Sequence, residues 1–312
     1  MNSRLFFQRL GLALMLVLLA GCAPGIAPAG RPASLNVLAV ETFLADIAQN
    51  VAGDRLTVAA LIPVGVDPHG FQPTPADVKK VAASQVLIVN GAGFEEFLDD
   101  LLKNAGGERM VIEASAGLTL RETPDDSAPA AGGRHKEGDP HFWLDPVLAV
   151  KYVENIRAGL SQADPAGATI YAANADAYSA RLNELDKWIA EQVKQIPELN
   201  RRLVTNHESL GYFADRYGFI VVGAVIPSVS AGASPSAKEL AGLVDQVKQA
   251  RVRAIFLETG SNPQLARQLA QEAGIKVVTE LYSHSITDPK GPAPTYIDIM
   301  KYNVNAIVSA LK

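Results

Sequence analysis

Eight short apolar runs punctuate the chain, each bounded by turn-forming residues. The first four are LNVLAVE (35–41), LTVAALIP (56–63), QVLIVNG (85–91) and MVIEA (110–114). After a gap come RLVTNH (202–207), FIVVGAV (219–225), AIFLETG (254–260) and KVVTELY (276–282). Helical patterns separate them, and this alternation predicts an α/β architecture with mainly parallel sheets. Helix starts are marked by a capping side chain ahead of a proline: Thr74-Pro75, Ser234-Pro235 and Asn262-Pro263.

The gap between the two sets of runs has a different period. Tyr171, Tyr178, Leu182, Leu185, Ile189, Val193 and Ile196 recur at spacings of three, four or seven, which is one apolar face of a single helix. About 28 helical residues at 1.5 Å each would run roughly 42 Å. The pattern predicts two α/β lobes, residues 35–163 and 198–312. Each carries a mainly parallel four-stranded sheet flanked by helices, and one long rigid helix across 164–197 joins them. Residues 121–140, RETPDDSAPAAGGRHKEGDP, are rich in Gly, Pro, Ala and charge and predict a mobile surface loop.

Composition narrows the classes. Hydrophobic residues make up 48% and charged residues 20% of the 312, an ordinary globular balance. The formal charge of −5 argues against a nucleic-acid partner, which calls for a basic stripe. A single cysteine, Cys22, excludes a disulfide framework and a thiolate zinc site. That cysteine directly follows a leader. Arg4 and Arg9 precede an unbroken apolar stretch, Leu10 to Ala20, too short to span a bilayer comfortably but suited to an export signal over 1–21. Leu19-Ala20-Gly21-Cys22 resembles a bacterial lipobox, in which cleavage leaves a lipidated cysteine as the first residue. Residues 22–34 then read as a flexible tether. The expected location is outside the cytoplasmic membrane, lipid-anchored and facing the periplasm or the cell exterior.

Five histidines are present, and four fall where ligands gather. His69 and His141 sit in matched contexts, Val66-Asp67-Pro68-His69 and Gly138-Asp139-Pro140-His141, where proline restrains the chain and biases the aspartate to extended geometry. His207 ends one strand run and His284 follows another, and open α/β sheets bind ligands beyond the carboxyl ends of their strands. Two histidines from each half would meet in a cleft between lobes. Glu208 beside His207 reads either as an outer partner of that imidazole or as an acid complementing a helix N-terminus. Trp143 reads as core near the site.

The segments VGVDPHGFQPTPADV (64–78), NGAGFEEFL (90–98), DPHFWLDP (139–146), TNHESLGYFADRYG (205–218) and YIDIMKYNV (296–304) resemble the zinc- and manganese-binding solute-binding proteins of bacterial ABC transporters. The resemblance implies two α/β lobes on a rigid helix with a divalent metal in the cleft. It carries the first three ligands onto His69, His141 and His207. The fourth is usually an aspartate; here the matching segment reads Leu281-Tyr282-Ser283-His284-Ser285. His284 is favoured for that place, with water or a nearby acid such as Glu258 or Asp288 as alternatives. The 121–140 loop lies where zinc-binding relatives often carry a histidine-rich insertion, and here it holds only His135.

Imidazoles without a carboxylate suit zinc, whereas manganese prefers oxygen ligands. The expectation is therefore a monomeric binding protein that captures Zn2+ and hands it to an ABC permease, with Mn2+ as the alternative cargo. A zinc hydrolase is the competing class, but HExxH is absent from the chain.

Overall fold

The computed structural model describes residues 35–121, 138–226, 235–259 and 262–312. The leader, Cys22, the tether, Ser234 and His135 with most of the 121–140 loop lie outside the described residues. Each of the eight apolar runs contains a strand. β1 (Val37–Ala39), β2 (Val58–Ala60), β3 (Val86–Val89) and β4 (Met110–Glu113) form one sheet in the order β2-β1-β3-β4. β5 (Arg202–Thr205), β6 (Ile220–Ala224), β7 (Ala254–Glu258) and β8 (Lys276–Leu281) form a second in the same relative order, β6-β5-β7-β8. Every pairing between these strands is parallel.

Nine helices are present among the described residues. They are α1 (Thr42–Ala52), α2 (Pro75–Ala83), α3 (Leu98–Ala105), α4 (Pro146–Ala163), α5 (Ala168–Val193), α6 (Gly211–Tyr217), α7 (Ala237–Gln249), α8 (Gln264–Ala273) and α9 (Tyr296–Leu311). Successive strand side chains point to opposite faces, and this divides the sheets into layers. In the first sheet Leu38, Leu87 and Val89 pack outward with Val81 of α2 and Leu101 of α3. In the second, Val204, Ile255 and Leu257 pack outward under α7 and α8. The alternate residues, Val37, Ala39, Val86 and Ile88 in one sheet and Leu203, Ala254 and Phe256 in the other, belong to one continuous inner core. That core also holds the buried faces of α1, α4, α5 and α9.

Helix α5 is the long element expected from the period. Its 26 residues span about 39 Å, and its buried face is Tyr171, Ala175, Tyr178, Leu182, Leu185, Ile189 and Val193. At about 1.5–3 kcal/mol for each large apolar side chain taken out of water, this face anchors α5 firmly against α4, α1 and α9. The helix is therefore packed along its length and is no free-standing strut.

Two helix starts differ from expectation. Helix α7 begins at Ala237 because Ser236, with Glu239 three residues on, forms a reciprocal capping box; Ser234-Pro235 precedes it. Helix α8 begins at Gln264, one residue late, although Asn262 Oδ1 still accepts from the Gln264 N–H at 3.0 Å. The Thr74-Pro75 start of α2 is found as expected, with Asp77 completing its capping box. Helix α4 starts by the same device at Asp145-Pro146, where Asp145 Oδ1 accepts from the Val147 N–H at 2.8 Å.

Candidate metal centre

The four ligand candidates arrive on separate pieces of chain, all beyond the carboxyl ends of strands. His69 lies in a short 3-10 turn, Pro68–Gly70, after β2. Asp67 is extended (φ −75°, ψ 121°) and its side chain accepts from the His69 N–H at 3.0 Å. The second Asp-Pro-His repeats the arrangement: Asp139 Oδ1 accepts from the His141 N–H at 2.9 Å. Asp139 is itself pinned, because its N–H donates to the Arg121 carbonyl at 3.0 Å. Gly138 just before it has φ +107°, and a Cβ there would stand 2.7 Å from that same carbonyl. Only glycine fits such a turn without strain. His207 follows β5, and His284 follows β8.

His284 is held from both sides by the other lobe. The Trp143 indole N–H donates to the Ser283 carbonyl at 2.7 Å. On the far side, Ser285 Oγ accepts from the Gly65 N–H at 2.9 Å and lies 3.1 Å from Thr42 Oγ1.

The four rings converge. One ring nitrogen from each of His69, His141, His207 and His284 can be chosen so that all lie within 4.8 Å of one another. His207 Nε2 and His141 Nε2 are 3.4 Å apart. A tetrahedron with metal–nitrogen arms of about 2.0–2.1 Å has edges of about 3.3–3.4 Å. Ring centroids are separated by 4.9 Å (His69–His284) to 5.5 Å (His69–His141). His141, His207 and His284 are 0%, 5% and 7% exposed, so the centre is closed from solvent on three of its four sides; His69 is half-buried. Phe94 meets the His69 ring edge-on at 5.0 Å, and Trp143 stands 5.1 Å from His141 while stacking on Phe43 at 4.4 Å. These aromatic walls exclude water and stiffen the rings, so Trp143 is core beside the site as expected.

Carboxylates sit behind the imidazoles. Asp139 Oδ1 is 2.8 Å from His141 Nδ1. Glu258, at the end of β7, has Oε1 3.2 Å from His207 Nδ1 and Oε2 3.3 Å from His284 Nδ1. A carboxylate there accepts the Nδ1–H and leaves Nε2 with its lone pair facing the centre, the tautomer a metal needs. Burial outweighs the opposing His141 N–H and Arg121 charge and pushes the Asp139 carboxyl up to about 7. Burial would raise Glu258 too, but His207, His284 and Ser209 overcome it and hold that carboxyl down at about 2. Burial lowers His284, and Glu258 more than restores it, leaving the imidazole above its ordinary value.

The acid behind His207 is thus Glu258 rather than its neighbour Glu208, which is half-buried and adds its charge to the surroundings of Arg121 and Asp139. Asp288 is exposed and outside the cluster. The contact of Asp139 with the His141 ring, and Ser209, whose hydroxyl donates to Glu258 Oε1 at 2.7 Å, were not read from the sequence pattern. The repeated Asp-Pro-His was the signal for the first; nothing local marks the second.

Residues 37–310 match the family described as zinc-uptake complex component A, periplasmic (ZnuA). The chain is similar to the manganese-binding lipoprotein MntA of Halalkalibacterium halodurans, at 36% identity over 277 residues, 89% of this chain and 88% of that one. Its fold is similar to that of the Mn-bound periplasmic metal binding protein from Candidatus Liberibacter asiaticus, with a TM-score of 0.78, 28% identity and coverage of 89% of this chain and 100% of that one. It is also similar to the periplasmic zinc binding protein TroA from Treponema pallidum, with a TM-score of 0.77, 25% identity and coverage of 89% and 99%.

Proposed function

The chain belongs to the ZnuA family of metal-binding substrate-binding lipoproteins of ABC transporters, and on that premise we propose that it captures Zn2+ outside the cytoplasmic membrane and delivers it to an ABC permease. The observation that carries the zinc reading is the donor set: four imidazoles within ligating range of one another and no carboxylate among them. Borderline-soft nitrogen donors in a small, four-fold set suit tetrahedral zinc, whereas manganese favours oxygen and higher coordination. His69, His141, His207 and His284 are the ligands, with Nε2 of each turned to the ion.

The protein breaks no bond; the metal is cargo. It acts as a monomer, held to the membrane through a lipid on Cys22, and it faces the periplasm or the cell exterior. Manganese is the second reading, because the relative at 36% identity is named for that metal. Chelator-competition titrations of the mature, metal-stripped protein with Zn2+ and with Mn2+ decide between them. Tighter zinc binding is expected, and tighter manganese binding would overturn the zinc assignment.

A further inference from the structure

Within the metal-capture reading, on which this inference rests, the two lobes hold their ligands differently. In the first lobe each histidine has its own aspartate. Asp67 accepts from the His69 backbone, and Asp139 accepts from both the backbone and the ring of His141. In the second lobe one carboxylate faces two rings, and Ser283 Oγ, 2.9 Å from His284 Nδ1, shares the hold on one of them. Glu258 places Oε1 against His207 Nδ1 and Oε2 against His284 Nδ1. The two rings lie nearly parallel, 19° apart with centroids 5.1 Å apart, as rings gripped by the two arms of one carboxylate would be. Ser209 Oγ fixes the carboxylate from behind. The backbone is shaped for this: the β7–β8 register slips between Phe256 and Glu258, and such irregularities re-aim a side chain beside a site.

We propose that Glu258 is a positioning residue that turns His207 and His284 into a single two-toothed unit, so that the second lobe delivers both of its ligands to the metal together.

The test uses the full mature chain with Zn2+ for affinity and Co2+ as a spectroscopic probe. An outer partner that serves one ligand is worth about 10- to 100-fold in metal affinity. Glu258→Gln cannot accept from both rings. It is expected to weaken zinc binding by more than about 100-fold and to change the Co2+ visible bands. In a His284→Ala background the same substitution is expected to cost only about 10-fold, since one ring remains to be held. Equal losses in the two backgrounds, or an unchanged affinity and Co2+ spectrum, would overturn the proposal. Should Glu258→Gln fail to fold, Ser209→Ala keeps the carboxylate and all four histidines but frees the clamp. Weaker zinc binding with an altered Co2+ spectrum supports the proposal, and wild-type behaviour overturns it. A wild-type chain that takes up neither ion would overturn the metal-capture reading itself, an outcome separable from failure of the clamp alone.

Discussion

Replacing His284 by alanine is the sharpest single perturbation of the centre. The imidazole is 7% exposed, and its Nε2 is buried with no hydrogen-bond partner among the described residues, as expected of an atom reserved for a ligand. Four-ligand zinc sites bind with an apparent 10–16 kcal/mol at neutral pH, so one ligand in four accounts for roughly 2.5–4 kcal/mol. At 1.4 kcal/mol per factor of ten, that is about 10²- to 10³-fold in affinity. A water entering the vacated position recovers part of it, which places the expected loss near 10²-fold. Competition against a chromophoric chelator reads this directly. Zinc-dependent thermal stability reads it independently: a 100-fold loss removes about 2.7 kcal/mol of linkage when zinc is in excess, or roughly 5 °C of zinc-induced Tm shift in a body of this size. The metal-free variant should melt close to the metal-free wild type. Equal zinc affinity in the two proteins would refute His284 as a ligand and return the fourth place to water or to Glu258.

Asp139→Asn removes the charge behind His141 while keeping an acceptor, and zinc affinity is expected to fall by about 10- to 100-fold in the same titration; no change would remove Asp139 from the centre. Trp143→Phe leaves the Ser283 carbonyl buried without its donor, at a cost of about 1–3 kcal/mol in denaturant unfolding, with weaker zinc binding because His284 is next in the chain. Burial raises Glu95 to about 7, and burial with the charge of Glu95 raises the neighbouring Glu41. The folded state therefore holds protons that the unfolded chain has released. The metal-free protein should lose stability as pH rises from about 4.5 to about 7, and Glu95→Gln should make that slope shallower; an unchanged slope from urea melts at several pH values would refute the assignment.

Much of this protein was legible in one dimension, and the reasons are local. The central strands were visible because a parallel strand buried on both faces reads as an apolar run, as in Val86–Val89 and residues 254–257, while partly exposed strands such as Lys276–Leu281 showed through their β-branched residues. The long helix announced itself because α5 buries the stripe that a 3.6-residue period lays down. His69 and His141 were legible through the repeated Asp-Pro-His, whose aspartate accepts from the histidine N–H and sets the local turn. The meeting of four histidines was expected from their places at strand ends, but the use of Glu258 rather than the adjacent Glu208 behind His207, and the grip of Trp143 and Ser285 on the two sides of His284, had no sequence signature. Glu258 lies 51 positions after His207 and 26 before His284. Only the parallel order β5-β7-β8 sets the ends of those strands side by side, and only the inner core shared by both sheets brings them against the first lobe. Residue type and local turn chemistry told which atoms were available as ligands; the order of the parallel strands and the core shared by both sheets decided which carboxylates and aromatic side chains stand behind them.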